Sequence, residues 1–151
     1  MKPKMEVKNE IFIRATAPRV WQVLTDPAIT PQYMYGCAAL SDWEVGSPLL
    51  WEGEYAGQKM IFVKGVVEEY QPPERLKYSV FDPQATYADI PANHLHVTYL
   101  VSETSDGVRL TVIQDGFETA AEGEKRYTEV YNQGLGWQPI LEEIKRLAEA
   151  G

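Results

Sequence analysis

The sequence predicts an α+β fold in which a curved antiparallel sheet wraps around a long C-terminal helix and encloses an apolar cavity. Three observations carry this expectation. A succession of β-patterned segments is separated by turn residues, helical periodicity takes over after Glu122, and only two short helical segments intervene between the first strand and the rest. With the elements in that order, few arrangements bury every apolar face, and the sheet must curl around the last helix.

Between Glu6 and Ala15 apolar and polar residues alternate, with Val7, Ile11, Ile13 and Ala15 on one face, which predicts a half-buried strand. Thr16-Ala17-Pro18 supplies a capping hydroxyl followed by a proline for the first turn, and Val20, Trp21, Val23 and Leu24 make a short amphipathic helix. Asp26-Pro27 repeats the start signal, so a second short helix is expected over Pro27 to Gln32.

Strands follow near Leu49–Tyr55, Lys59–Tyr70, Arg75–Phe81, Leu95–Glu103 and Val108–Asp115, rich in β-branched and aromatic residues, which makes about six in all. The separators Ala56-Gly57-Gln58 and Ser105-Asp106-Gly107 are short enough for hairpins, so consecutive strands pair antiparallel. The stretch Asp82 to Asn93 is the longest loop in the sheet region, of the kind that rims a site. From Glu122 onward Tyr127, Val130, Tyr131, Gly134, Trp137, Gln138, Leu141, Ile144 and Ala148 recur at three- and four-residue steps, the stripe of a long amphipathic helix. Gly134, Gly136 and Pro139 interrupt it and predict a bend over Gln133 to Gln138.

Composition bounds the function. A chain of 151 residues, 44% hydrophobic, has the size and core of one domain, residues 1–151. Its net charge of −8 repels a phosphate backbone and argues against nucleic acid. The short basic clusters Lys2, Lys4, Lys8 and Lys125, Arg126 read as solvated surface. No apolar run approaches a membrane span. Lone Cys37 and the absence of an apolar leader at Met1–Glu6 lead to the expectation of a soluble protein in a reducing cytoplasm.

Four phrases, taken with their order and spacing, resemble a known superfamily: Ala17-Pro18-Arg19-Val20-Trp21-Gln22-Val23-Leu24-Thr25-Asp26-Pro27, Gln71-Pro72-Pro73-Glu74-Arg75-Leu76, Arg109-Leu110-Thr111-Val112 and Gly136-Trp137-Gln138-Pro139-Ile140-Leu141. The chain resembles the START-like, or SRPBCC, superfamily, and within it the family homologous to the activator of Hsp90 ATPase. The resemblance implies a helix-grip (START/Bet v 1-like) fold whose cavity, in various relatives, binds lipids, sterols or polyketides. It carries no shared catalytic motif onto these residues.

On the residues alone, the expected cavity lining is Trp51, Tyr55, Phe62, Tyr78, Phe81, His96 and Tyr99 from the strands with Tyr131, Leu135 and Gln138 from the helix. Aromatic side chains supply apolar area, and a tyrosine hydroxyl can hold a ligand's polar end. Each aromatic also fits an ordinary core position. His94-Leu95-His96 puts two imidazoles on one strand face without a third ligand, so no metal is expected. His96 could serve as a base but has no legible triad.

Glu52 and Glu54 share a strand face, whereas Glu68 and Glu69 point to opposite faces. Any of these carboxylates would matter chemically only if it faced the cavity, the usual alternative being a solvated outer face. Gly134-Leu135-Gly136 lacks the context of a phosphate loop, and no cofactor is expected. Cys37 lacks a neighbouring cation that would activate its thiol.

The expected function is binding of a small hydrophobic or amphipathic molecule. The alternatives are a protein-interaction module acting on a chaperone, which the resemblance implies, and a cyclase or hydrolase using a cavity carboxylate or His96. Oligomeric state is not legible.

Overall fold

The computed structural model describes residues 5–151, so Lys2 and Lys4 of the basic start lie outside the described residues. Strand β1 runs over Val7–Ile13 and is followed by helix α1 over Ala17–Thr25. Thr16 caps the helix, its hydroxyl accepting the Arg19 N–H at 3.2 Å, with Pro18 in the first turn. Where a second helix is expected there is only a 3-10 turn, Thr30–Gln32. Asp26 accepts the N–H of Ala28 at 2.8 Å, so its carboxylate closes a tight turn instead of starting a new helix.

Six further strands follow: β2 (Ala38–Ser41), β3 (Pro48–Tyr55), β4 (Gln58–Gln71), β5 (Arg75–Val80), β6 (Leu95–Glu103) and β7 (Val108–Asp115). They form one antiparallel sheet in the order β1-β7-β6-β5-β4-β3-β2. The four-residue β2 is absent from the sequence-based expectation because it is too short to display an alternation. Register shifts against β3 (Trp51↔Val63, then Glu52↔Ile61) and against β5 (Val67↔Tyr78, then Glu69↔Lys77) leave Phe62 and Glu68 as extra residues, two bulges in β4 that bend that half of the sheet. The second bulge has a local consequence. Glu68 and Glu69 both find partners on the outer surface, His96 and Arg75, and do not split between the two faces.

The expected long helix is two helices, α2 (Gly123–Tyr131) and α3 (Gln138–Ala150). Between them Asn132, Gln133, Gly134 and Gly136 adopt positive φ, at 48°, 56°, 96° and 52°. Backbone in that region cannot continue a right-handed helix. Asn9 of β1 clamps the break: its side-chain oxygen accepts the N–H of Trp137 at 2.9 Å and its nitrogen donates to the Leu135 carbonyl at 3.2 Å. A Cβ on Gly136 would stand 2.4 Å from that Asn9 oxygen, so position 136 must be glycine for two reasons, conformation and space.

Helix α3 buries Leu141, Ile144, Leu147 and Ala148 and lies against β1 and α1. Helix α2 buries none of its residues fully; Tyr127 rests edge-on against Phe117 at 5.3 Å. Among the described residues no helix is long and apolar enough to cross a membrane.

Candidate functional site

The alternation of each strand sets which side chains face the helices. On β6 Val97, Tyr99 and Val101 point inward, and on β5 Leu76 and Tyr78 do so; all five are buried. Helix α3 covers this face only from Trp137 onward. Beyond it, toward β3 and β4, a cavity of about 470 Å³ remains. Trp51, Phe62, Val63, Tyr78, Val80 and Val97 form its sheet wall, and Trp137 closes it from the start of α3. Met34 and Cys37 contribute from the loop before β2, while Tyr35 and Glu54, both exposed, stand at the mouth.

The wall is aromatic and tightly coupled. Trp51 and Tyr78 approach at 6.0 Å between ring centroids, Tyr78 and Tyr99 at 6.3 Å, and Tyr99 meets Trp137 edge-on at 6.0 Å. Such contacts fix ring orientations in addition to burying area. Gln114 is the polar exception on β7, where Val108, Leu110 and Val112 precede it on the inward face. Its side-chain oxygen accepts the indole N–H of Trp137 at 2.9 Å. Burial alone raises the pKa of the Cys37 thiol, leaving it in its neutral form.

Three phenols are buried here, Tyr78 in the wall itself and Tyr33 and Tyr99 outside the lining. Tyr33 donates to the Val23 carbonyl at 2.8 Å, whereas the Tyr99 hydroxyl has no hydrogen-bond partner of good geometry and only a poorly aligned contact with the Tyr78 hydroxyl, which slightly opposes the rise of its pKa. Desolvation is the main cause that raises the pKa of Tyr33, Tyr78 and Tyr99, with mutual repulsion of their charged forms adding to the shift at Tyr33 and Tyr78.

A folded-state pKa above the unfolded value of 10.0 means that the stabilisation is complete below that pH and is lost as pH rises through it. Unfolding free energy should therefore hold up to about pH 9 and fall above about pH 10, by about 1 kcal/mol per pH unit for each of the three phenols. Denaturant titrations across that range, with phenolate absorbance as a second probe, check this. Ionisation should coincide with unfolding, and Tyr99→Phe should make the decline shallower.

A family model described as "Activator of Hsp90 ATPase homolog 1-like protein" matches residues 14–149. The chain belongs to this family. Among solved structures, this family member is similar to a solution structure from Cytophaga hutchinsonii at 30% identity, with a TM-score of 0.74 and coverage of 99% of this chain and 97% of the other. A crystal structure from Chromobacterium violaceum matches at 23% identity, TM-score 0.70, covering 95% and 96% of the two chains. One from Nitrosomonas europaea matches at 16% identity, TM-score 0.73, covering 99% and 97%. The last two show the shared fold. Comparison with curated proteins returns no match.

Of the ten side chains expected to line the cavity, Trp51, Phe62 and Tyr78 do so. Tyr99 lies behind Tyr78, and Gln138 is half-buried next to Trp137 without reaching the lining. The other five lie elsewhere. Tyr55, at the tip of the β3–β4 hairpin, is 69% exposed, and Tyr131 and Leu135 are exposed because the helix breaks where they were expected to turn inward.

Phe81 follows β5 with the opposite parity to Tyr78 and stacks on His94 at 4.9 Å, with Tyr87 edge-on at 5.7 Å. His96 alternates with inward Val97 and faces outward, its Nδ1 lying 2.5 Å from Glu68. His94 has its own partners, Asp89 at 2.7 Å and Ser79 at 3.2 Å, so the two imidazoles do not converge. Among the described residues no cluster of three or more His, Cys, Asp or Glu could hold a metal.

Sequence reasoning passed over Gln114 and Trp137. The signal for Gln114 was present: a carboxamide at the position where the inward alternation of β7 calls for an apolar residue.

Proposed function

We propose that this chain binds one small hydrophobic or amphipathic molecule in the cavity between β3–β7 and the start of α3, as a carrier or sensor in the cytoplasm. The supporting observation is the cavity itself. Its volume of about 470 Å³ falls within the range of sites that enclose drug-sized molecules, and its wall is mostly aromatic and aliphatic. A cavity lined with large apolar side chains and left unfilled costs packing energy that a ligand restores.

The test is native mass spectrometry of the purified protein, followed by thermal denaturation with a panel of neutral lipids and polycyclic aromatics. A stoichiometric ligand, or a melting temperature that rises with ligand concentration, supports the reading. An empty protein indifferent to the whole panel overturns it.

A second reading is an interaction module for a chaperone. The family description suggests it, and the exposed Tyr35, Tyr131 and Leu135 supply apolar surface for it. Capture of purified Hsp90 by a protein with an empty, unresponsive cavity would favour it. For the cyclase or hydrolase reading, Glu54 at the mouth is the carboxylate available, and His96 is on the wrong face.

A further inference from the structure

We infer that the cavity selects a neutral ligand whose buried end carries a hydrogen-bond acceptor, such as a ketone or quinone oxygen, and that Gln114 is the group that reads it. This rests on the binding reading above and adds to it the chemistry of the ligand.

Gln114 lines the cavity, yet only 6% of the residue is exposed. Its orientation is settled by its neighbour. An indole N–H can only donate, so the atom that meets Trp137 Nε1 at 2.9 Å is the carboxamide oxygen. The other arm of the amide is then the NH2 group, which carries two donors. Among the described residues no group accepts from it. Trp137 is itself held by Asn9, whose oxygen accepts the backbone N–H of Trp137 at 2.9 Å, so the carboxamide is anchored by a residue that cannot easily turn away. The NH2 group is not sealed away like the buried unpartnered Tyr99 hydroxyl: it keeps some accessible surface, and because Gln114 lines the cavity its two donors are open to an acceptor on a ligand.

Charge narrows the class further. Among the described residues no lysine, arginine or histidine lines the cavity, and the carboxylate on its lining is Glu54 at the mouth. An anionic ligand would leave water without a counter-charge and would pass Glu54 on the way in. A fatty acid or aromatic carboxylate is therefore disfavoured relative to its neutral analogue. The walls, with Trp51, Phe62, Tyr78 and Trp137, suit a flat unsaturated body.

Three matched probes separate these claims: naphthalene, acetonaphthone and naphthoate, with affinity followed through the intrinsic tryptophan fluorescence of Trp51 and Trp137. The ketone is expected to bind about 5- to 10-fold more tightly than the hydrocarbon, the ratio of one net hydrogen bond, and naphthoate more weakly than either. In the same samples the carbonyl stretch of the bound ketone should move to lower frequency than in hydrocarbon solvent. Gln114→Met should bring the ketone-to-hydrocarbon ratio to about one and abolish the frequency shift, the ratio being read within the variant whatever its absolute affinity.

The wild-type measurements decide the matter even if that variant does not fold. Equal binding of ketone and hydrocarbon with an unshifted carbonyl, or preferential binding of naphthoate, overturns the assignment of Gln114 while leaving the cavity reading intact. Failure of all three probes, together with an unresponsive melting temperature across the wider panel, overturns the cavity reading itself.

Discussion

Val63→Trp should leave the protein folded and remove ligand-induced stabilisation. Val63 is half-buried on β4, opposite Trp51 across the β3–β4 ladder, and its side chain lines the cavity. An indole there extends into space that is empty, so it need not displace packed neighbours. Overpacking of a filled core usually costs about 1–3 kcal/mol, and this site should fall at or below the lower end. The effect on binding is of another size. A ligand present at one hundred times its dissociation constant stabilises the native protein by about 2.7 kcal/mol. For a domain of this length that is roughly a 5–10 °C rise in melting temperature. The variant should melt close to the wild type without ligand and show no rise with it. A full ligand response in the variant would place the binding site elsewhere on the molecule.

Gly65→Ala is expected to cause the largest loss of stability of any single methyl addition in the sheet. A Cβ on Gly65 would stand 1.7 Å from the Ser79 carbonyl oxygen and 3.1 Å from its hydroxyl. The obstacle is backbone, and it cannot rotate away. Strands β4 and β5 are drawn together at this point by the Lys64 N–H to the Phe81 carbonyl at 2.9 Å and the reciprocal bond at 2.7 Å, while the Ser79 hydroxyl accepts the Val66 N–H at 3.0 Å. Making room for one methyl group means parting the ladder at all three bonds. We expect a loss of roughly 3 kcal/mol or more in urea denaturation, in the range reserved for clashes inside the core. Gly57→Ala is the contrasting control. It has φ of +81° but open space around it, so it should cost only about 1 kcal/mol of backbone strain. Equal losses for the two variants would show that conformational freedom, and not the approach of β5, is what requires glycine at position 65.

The architecture was legible because its signals are long and periodic. Seven residues of alternation in β1 and eight in β7 leave little choice of element, and the short turns between later strands dictate antiparallel neighbours. The cavity lining was less legible, for three local reasons. Parity within a strand decides facing, and Phe81 and His96 were assigned inward without a parity argument when both lie one residue out of phase with Tyr78 and Val97. The two bulges shift phase within β4, and bulges leave no reliable mark in a single sequence. Finally, Tyr131 and Leu135 continue a helical stripe on paper, but Gly134 and Gly136 end the helix outright instead of bending it, turning both side chains to solvent. Gln114 was the readable clue left unused, a polar residue inside an apolar alternation.

The position of β1 has a consequence in time. It pairs with β7, so that Val7 lies opposite Gln114, 107 residues further along the chain (114 − 7). At ordinary rates of translation that interval takes roughly 5–20 s to synthesise. Throughout it the first strand waits with its hydrogen-bonding edge unpaired while the β2–β6 hairpins can already close among themselves. Closing so long a loop is a late event that rewards the chain only at the end. The Asn9 clamp on Trp137, the residue that bonds Gln114, depends on that docking, so the strand made first completes the support of the cavity's polar group only after Trp137 has been made.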